Sequence, residues 1–149
     1  MNITILAVNR IRSGPELELT ENYLDRFTKL GRNQGFGNIE VVEIEPEKTG
    51  GRKRSLKCLQ NPVCLLDERG QQLSSREFAI KIASWRDEQI GDLTFAIGGD
   101  QGKNQLPEFT PFFTLSFGPM VFPHRLARVM LAEQLYRAVS ILSGLPYHK

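Results

Sequence analysis

One of the chain's two histidines, His148, stands next to its last residue, between Tyr147 and Lys149 and behind the stiff pair Leu145 and Pro146. Chain ends usually fray and tolerate change, so an imidazole, a phenol ring and a cation gathered there call for a use. Imidazole exchanges a proton near neutral pH, tyrosine stacks on flat partners, and lysine meets anions. Proton transfer at a docked substrate and plain binding of that substrate both fit this trio. His124, beside Pro123 where a helix should begin, needs no more than a capping or hydrogen-bonding role.

A second group of candidates lies in three loops, Asp67-Glu-Arg-Gly70, Gly98-Gly-Asp-Gln-Gly102 and Gly118-Pro-Met-Val-Phe-Pro123. Each follows an apolar run of strand type. Ligands of open parallel sheets bind outside the carboxyl ends of the strands, and glycines there let the backbone approach closely. Neither a Gly-x-Gly-x-x-Gly fingerprint nor a phosphate-binding P-loop is present, so the loops by themselves suggest a nucleotide-like or adenosyl-like ligand. Cys58, Cys64, His124 and His148 lack a zinc spacing, and no Gly-x-Ser-x-Gly occurs, so neither a metal nor a serine triad is expected.

The elements that must position these residues follow an alternating pattern. Apolar, β-branched or aromatic runs at 3–8, 39–44, 63–67, 93–97 and 112–117 read as strands, separated by helical periods, which predicts an α/β fold with a mainly parallel sheet. A helix begins at Pro15, with Leu17, Leu24, Phe27 and Leu30 recurring at its turns, and ends by 31–37. Ser74 and Glu77 form a capping box that opens a helix to about Asp87. Pro107 and Pro111 predict a loop or broken helix. The segment after the second strand fits a short helix or an ordered loop.

The last helix, about 125–143, is apolar nearly all round and stops at Gly144 and Pro146. Such a helix is buried on two sides, by its own domain or by a second subunit. Glu133 and Arg137, four apart with the acid first, form a favourable pair.

With 149 residues the chain is expected to form one domain, 1–149, able to bury a core without staples. Two cysteines outside any Cys-x-x-Cys spacing suit a reducing cytoplasm, and no apolar stretch is long enough to cross a bilayer. The start, MNITILAVNR, reads as a strand rather than a signal peptide. Net charge is only +2, but GRKRSLK carries four positive charges, and Arg125, Arg128, Arg137 and Lys149 face only Glu133 in the last segment. Such clusters attract a polyanion or form a solvated face.

The segment LSFGPMVFPHRLARVMLAEQLYRAVSILSGLPYHK, with LLDERGQQLSS and FAIGGDQG, resembles the SPOUT-class family of ribosomal large subunit methyltransferase H over essentially the whole chain. That resemblance implies an α/β knot: a parallel sheet flanked by helices, a C-terminal trefoil knot forming the cofactor pocket, and an obligate homodimer. Ordinary connection rules argue against a knot, so it enters through the resemblance alone. The family uses S-adenosylmethionine to methylate a pseudouridine ring nitrogen in the helix 69 loop of 23S rRNA on the assembled ribosome.

Carried onto this sequence, the cofactor contacts fall at Leu66, Gly98 and Gly99, and at Phe117, Gly118, Pro119, Met120, Val121 and Phe122. His148, Tyr147 and Arg137 become the catalytic group. Arg128 and Lys149 become rRNA contacts, and an exposed, flexible tail completes the neighbouring subunit's site. Two departures stand out: Asp100 replaces a small residue or proline, as a turn cap or a cofactor contact, and the basic stretch before Cys58 is shorter than in many relatives. A knotted enzyme acting on tRNA or another rRNA site, and a non-enzymatic RNA-binding dimer, are the rival readings.

Overall fold

The computed structural model describes residues 1–45, 49–99 and 105–148, with side chains for all of them except 49–52. Five strands, β1 (Asn2–Val8), β2 (Ile39–Ile44), β3 (Val63–Gln72), β4 (Asp92–Ile97) and β5 (Phe113–Ser116), form one sheet in the order β2-β1-β4-β3-β5. Every pairing is parallel. Parallel strands need crossovers, and four helices are available: α1 (Pro15–Gly31), α2 (Thr49–Cys58), α3 (Ser75–Asp87) and α4 (His124–Leu142). The basic segment left open by the sequence is therefore helical, in α2.

Both faces of the sheet are covered, which is why its strands read as continuous apolar runs. Side chains alternate along a strand, so Ile3 and Ile5 of β1 join Phe27, Phe78, Trp85, Leu131 and Leu135 on one face, while Leu6 and Val8 meet Val42, Ile44, Val63 and Leu65 on the other. The helices α1, α3 and α4 lie over the first face, with α4 touching both of the others. That placement accounts within one chain for most of the apolar circumference of α4. Leu19, Met120, Val121 and Leu126 remain exposed.

The expected capping box is present: Ser74 Oγ accepts from the Glu77 amide at 3.2 Å and Glu77 Oε2 accepts from the Ser74 amide at 2.7 Å. One expectation is corrected. Residues 67–70 do not form a turn that ends the strand; β3 continues through them to Gln72. Leu66 and Gln71 both pair with Leu115 of β5, so the four residues between them bulge out of the ladder. The bulge needs a glycine, because a Cβ on Gly70 would sit 2.7 Å from the Thr114 carbonyl oxygen and 2.8 Å from the Leu115 carbonyl carbon. Replacing Gly70 with alanine is expected to cost about 1–3 kcal/mol, the usual range for forcing an extra methyl against packed backbone. Urea denaturation measures it, and an unchanged midpoint would mean that the bulge relaxes freely.

Candidate active site

The bulge of β3 and the carboxyl ends of β4 and β5 border a cleft of about 590 Å³. Its walls contain Leu66, Gly98, Gly99, Phe117, Gly118, Met120, Val121 and Phe122, all predicted from the sequence. Pro119 lies in the same loop but does not line the cleft. Asp67, Glu68 and Pro123, which lie in loops picked out from the sequence, line it as well, whereas sequence reasoning missed Ile97 and Leu115 on the strands and gave no cleft role to His124 and Ala127 at the start of α4. Asp100, Gln101 and Gly102 of the second loop lie outside the described residues.

Three local devices shape this cleft. The bulge turns Asp67 and Glu68 into its wall. Ser116, at the end of β5, joins the bulge to the next loop: its hydroxyl is 3.1 Å from the Glu68 carbonyl oxygen and accepts the Gly118 amide at 3.0 Å. Gly118 has φ +126, a backbone conformation that side-chain-bearing residues rarely adopt, and it opens the turn toward Met120 and Val121. Asp67 is held from the bulge itself, since Arg69 donates to its carboxylate through the amide at 3.0 Å and through Nε and Nη2 at 2.9 Å each.

The chemistry of the walls suits a flat heteroaromatic group joined to a cation. Leu66, Ile97, Leu115, Phe117 and Phe122 supply apolar contact, two glycines at the end of β4 bring backbone close, and Asp67 and Glu68 supply negative charge. Nucleophilic thiol chemistry is disfavoured elsewhere: burial raises the pKa of both Cys58 and Cys64, keeping them protonated. Among the described residues, no group of three or more His, Cys, Asp or Glu could hold a metal ion, and no helix is long and apolar enough to cross a membrane.

The tail residues assemble a second cluster. Arg137 donates through Nε and Nη2 to Glu133 Oε1 at 3.0 and 2.6 Å, the i,i+4 pair expected from the sequence. Tyr147 Oη donates to the same carboxylate oxygen at 3.0 Å, and Arg137 Nη1 lies 3.3 Å from His148 Nδ1. Burial, then hydrogen bonding to Tyr23 and Glu133, pushes the Tyr147 phenol well above its ordinary pKa, so it remains a donor across the physiological range. His148 and Tyr147 are half-buried against α4, so the expected exposed and flexible tail is corrected to a docked one. Apolar and aromatic contact for Tyr147 outweighs the fraying tendency of a chain end. Lys149 lies outside the described residues.

Cleft and tail cluster sit on different stretches of α4. Ala127 borders the cleft and Arg137 carries the cluster, so at 1.5 Å per residue they are about 15 Å apart along the helix. Among the described residues, none of the tail lines the cleft of its own chain.

Arg128 is the clearest correction. Predicted to contact phosphate, it is 2% exposed, one of the largest fully buried side chains. Its Nη1 donates to Glu43 Oε1 at 2.5 Å and its Nη2 to the Asn9 carbonyl at 2.9 Å. Glu43 Oε1 also accepts the Ile11 amide at 2.9 Å. The guanidinium thus ties the second turn of α4 to the carboxyl ends of β1 and β2, and no polyanion can reach it.

A parallel sheet with both faces covered, a glycine-rich cleft at its carboxyl rim and a long helix bordering that cleft define an α/β ligand-binding enzyme fold. The chain belongs to the SPOUT methyltransferases: the family model described as "Predicted SPOUT methyltransferase" matches residues 1–148. It is 48% identical to a protein of Dinoroseobacter shibae named "Ribosomal RNA large subunit methyltransferase H", over 155 aligned residues covering 100% of this chain and 99% of that one. Proteins of the same name from Ruegeria pomeroyi and Maricaulis maris are also 48% identical, with the same coverage.

Proposed function

We propose that this protein is an S-adenosylmethionine-dependent methyltransferase of large-subunit ribosomal RNA, acting on a pseudouridine ring nitrogen in helix 69 of 23S rRNA on the assembled ribosome, and that it works as a homodimer. The observation that carries the proposal is the cleft built by the bulge, the Gly98-Gly99 turn and the 117–122 loop, in a chain similar along its whole length to proteins bearing that name. When bound there, the donor supplies an electrophilic methyl group. Leu66, Phe117 and Phe122 fit its adenine, Gly98, Gly99 and Gly118 bring backbone groups against it, and Asp67 and Glu68 offset its positive charge.

The chain's own groups then have two tasks, positioning and proton removal. An imide nitrogen must lose its proton as the methyl group arrives, and His148 is the candidate acceptor. A guanidinium only donates hydrogen bonds, so in the resting cluster His148 Nδ1 accepts from Arg137 and Nε2 carries the ring proton. Proton uptake at Nδ1 therefore requires Arg137 to turn away, which a phosphate of the docked RNA would favour. Tyr147 braces the ring beside it, and Lys149 adds a cation for RNA. The tail is about 15 Å along α4 from its own cleft, which supports a site in which the tail of a second copy meets the donor.

Calorimetry with S-adenosylmethionine, followed by mass spectrometry of rRNA from purified ribosomes incubated with enzyme and donor, tests the proposal. Micromolar donor binding and a new methyl group on helix 69 are expected. Absence of donor binding would remove the enzymatic reading, and methylation of bulk tRNA in place of ribosomes would move the target.

A further inference from the structure

The tail is gripped most firmly at Tyr147, and part of that grip comes from a helix that contributes nothing to the cleft. Arg26 of α1 donates through Nη2 to Tyr136 Oη at 2.9 Å, and its guanidinium carbon lies 4.1 Å from the centre of the Tyr136 ring and 5.3 Å from that of Tyr147. The two rings meet edge to face at 4.7 Å. On Tyr147, Arg137 adds a second guanidinium at 4.7 Å, and Glu133 accepts the hydroxyl. Tyr23, three residues before Arg26 and so on the same side of α1, lies 6.2 Å from Tyr136 ring to ring. By contrast Gly144, Leu145 and Pro146, which lead into the tail, are exposed.

We infer that Arg26 is a positioning residue for methyl transfer: stacked across Tyr136 and Tyr147, it fixes the tail on α4 and thereby sets where His148 meets the target base. The inference rests on the function proposed above and adds to it a residue from α1. A purely structural tie between α1 and α4 is a poorer account, because buried Phe27 of α1 already lies in one apolar cluster with Leu131 and Leu135 of α4. Among the described residues, moreover, Arg26 forms no ion pair that would occupy it otherwise. A planar guanidinium can hydrogen-bond at its edge while stacking on its face; an ammonium has no such face.

Full-length Arg26→Leu and Arg26→Lys variants test this. Carboxypeptidase release of the last residues, followed by mass spectrometry, reports how often the tail leaves α4, independently of any activity. About fivefold faster release is expected for Arg26→Leu, with little rescue by Arg26→Lys, as loss of one cation–π contact implies. In methyl-transfer assays kcat should fall about tenfold in both variants, while the donor Kd and the KM for ribosomes stay within twofold of the parent. Unchanged tail release, unchanged kcat, or a parallel loss of kcat, donor affinity and thermal midpoint would each overturn the inference. A parent enzyme that binds donor yet leaves ribosomes unmethylated would sink the proposed target and the positioning role together; the carboxypeptidase result would still decide whether Arg26 anchors the tail.

Discussion

His148→Ala is expected to slow single-turnover methyl transfer to ribosomes by about 10²–10⁴-fold, the usual contribution of a general base, while donor affinity stays unchanged. The separation follows from geometry: the ring lies on the tail cluster beside Arg137, not in the wall of the cleft of its own chain. His148→Gln sharpens the test, because an amide keeps a hydrogen-bond acceptor but takes up no proton at neutral pH. If proton removal is the task, glutamine should be nearly as slow as alanine. If the ring only binds RNA, glutamine should recover much of the rate, and kcat at saturating ribosome should match the parent. Donor affinity measured by calorimetry on the same samples distinguishes a damaged cleft from a lost base.

Arg128→Met is expected to destabilise the protein by about 3–5 kcal/mol, because it strands Glu43 beside a cavity that no longer holds a cation. The carboxylate is largely shielded and its Oε1 lies 2.5 Å from the guanidinium. Arg10, whose Nε is 3.7 Å from Glu43 and whose side chain is 65% exposed, compensates little. Adding Glu43→Leu should restore part of the loss by removing the orphaned charge, but not all of it, since the Ile11 amide then loses its acceptor. Urea unfolding of the two variants against the parent measures both effects. A single-variant loss below about 1 kcal/mol would mean that the pair contributes little beyond an exposed salt bridge. The same substitution should lower donor affinity, because His124, one turn earlier on α4, and Ala127, the preceding residue, border the cleft.

Much of the fold was legible because it is written in short-range rules. The capping box at Ser74 and Glu77, the strand runs and the Glu133–Arg137 pair each depend on residues within a few positions of one another, and each stands where expected. The cleft was legible for a related reason: glycines after apolar runs mark strand ends, and parallel strands bring their carboxyl ends to one rim. The bulge at 67–70 was read as a turn, since its residue types are those of turns. Only pairing with β5, whose Leu115 meets both Leu66 and Gln71, makes it a bulge.

By itself, then, the amino-acid sequence determined the alternating elements, the loops that border a ligand site and the reactive composition of the tail. Tertiary structure alone decided which charges are buried and which residues share a cluster. Arg128 reads as a surface cation until Glu43, 85 positions away, is folded against it, and Arg26 is an ordinary helix residue until Tyr136, 110 positions away, lies beneath it. A charge's cost and a ring's partner are set by neighbours in space, and the separations along the chain are too long for local pattern to record them.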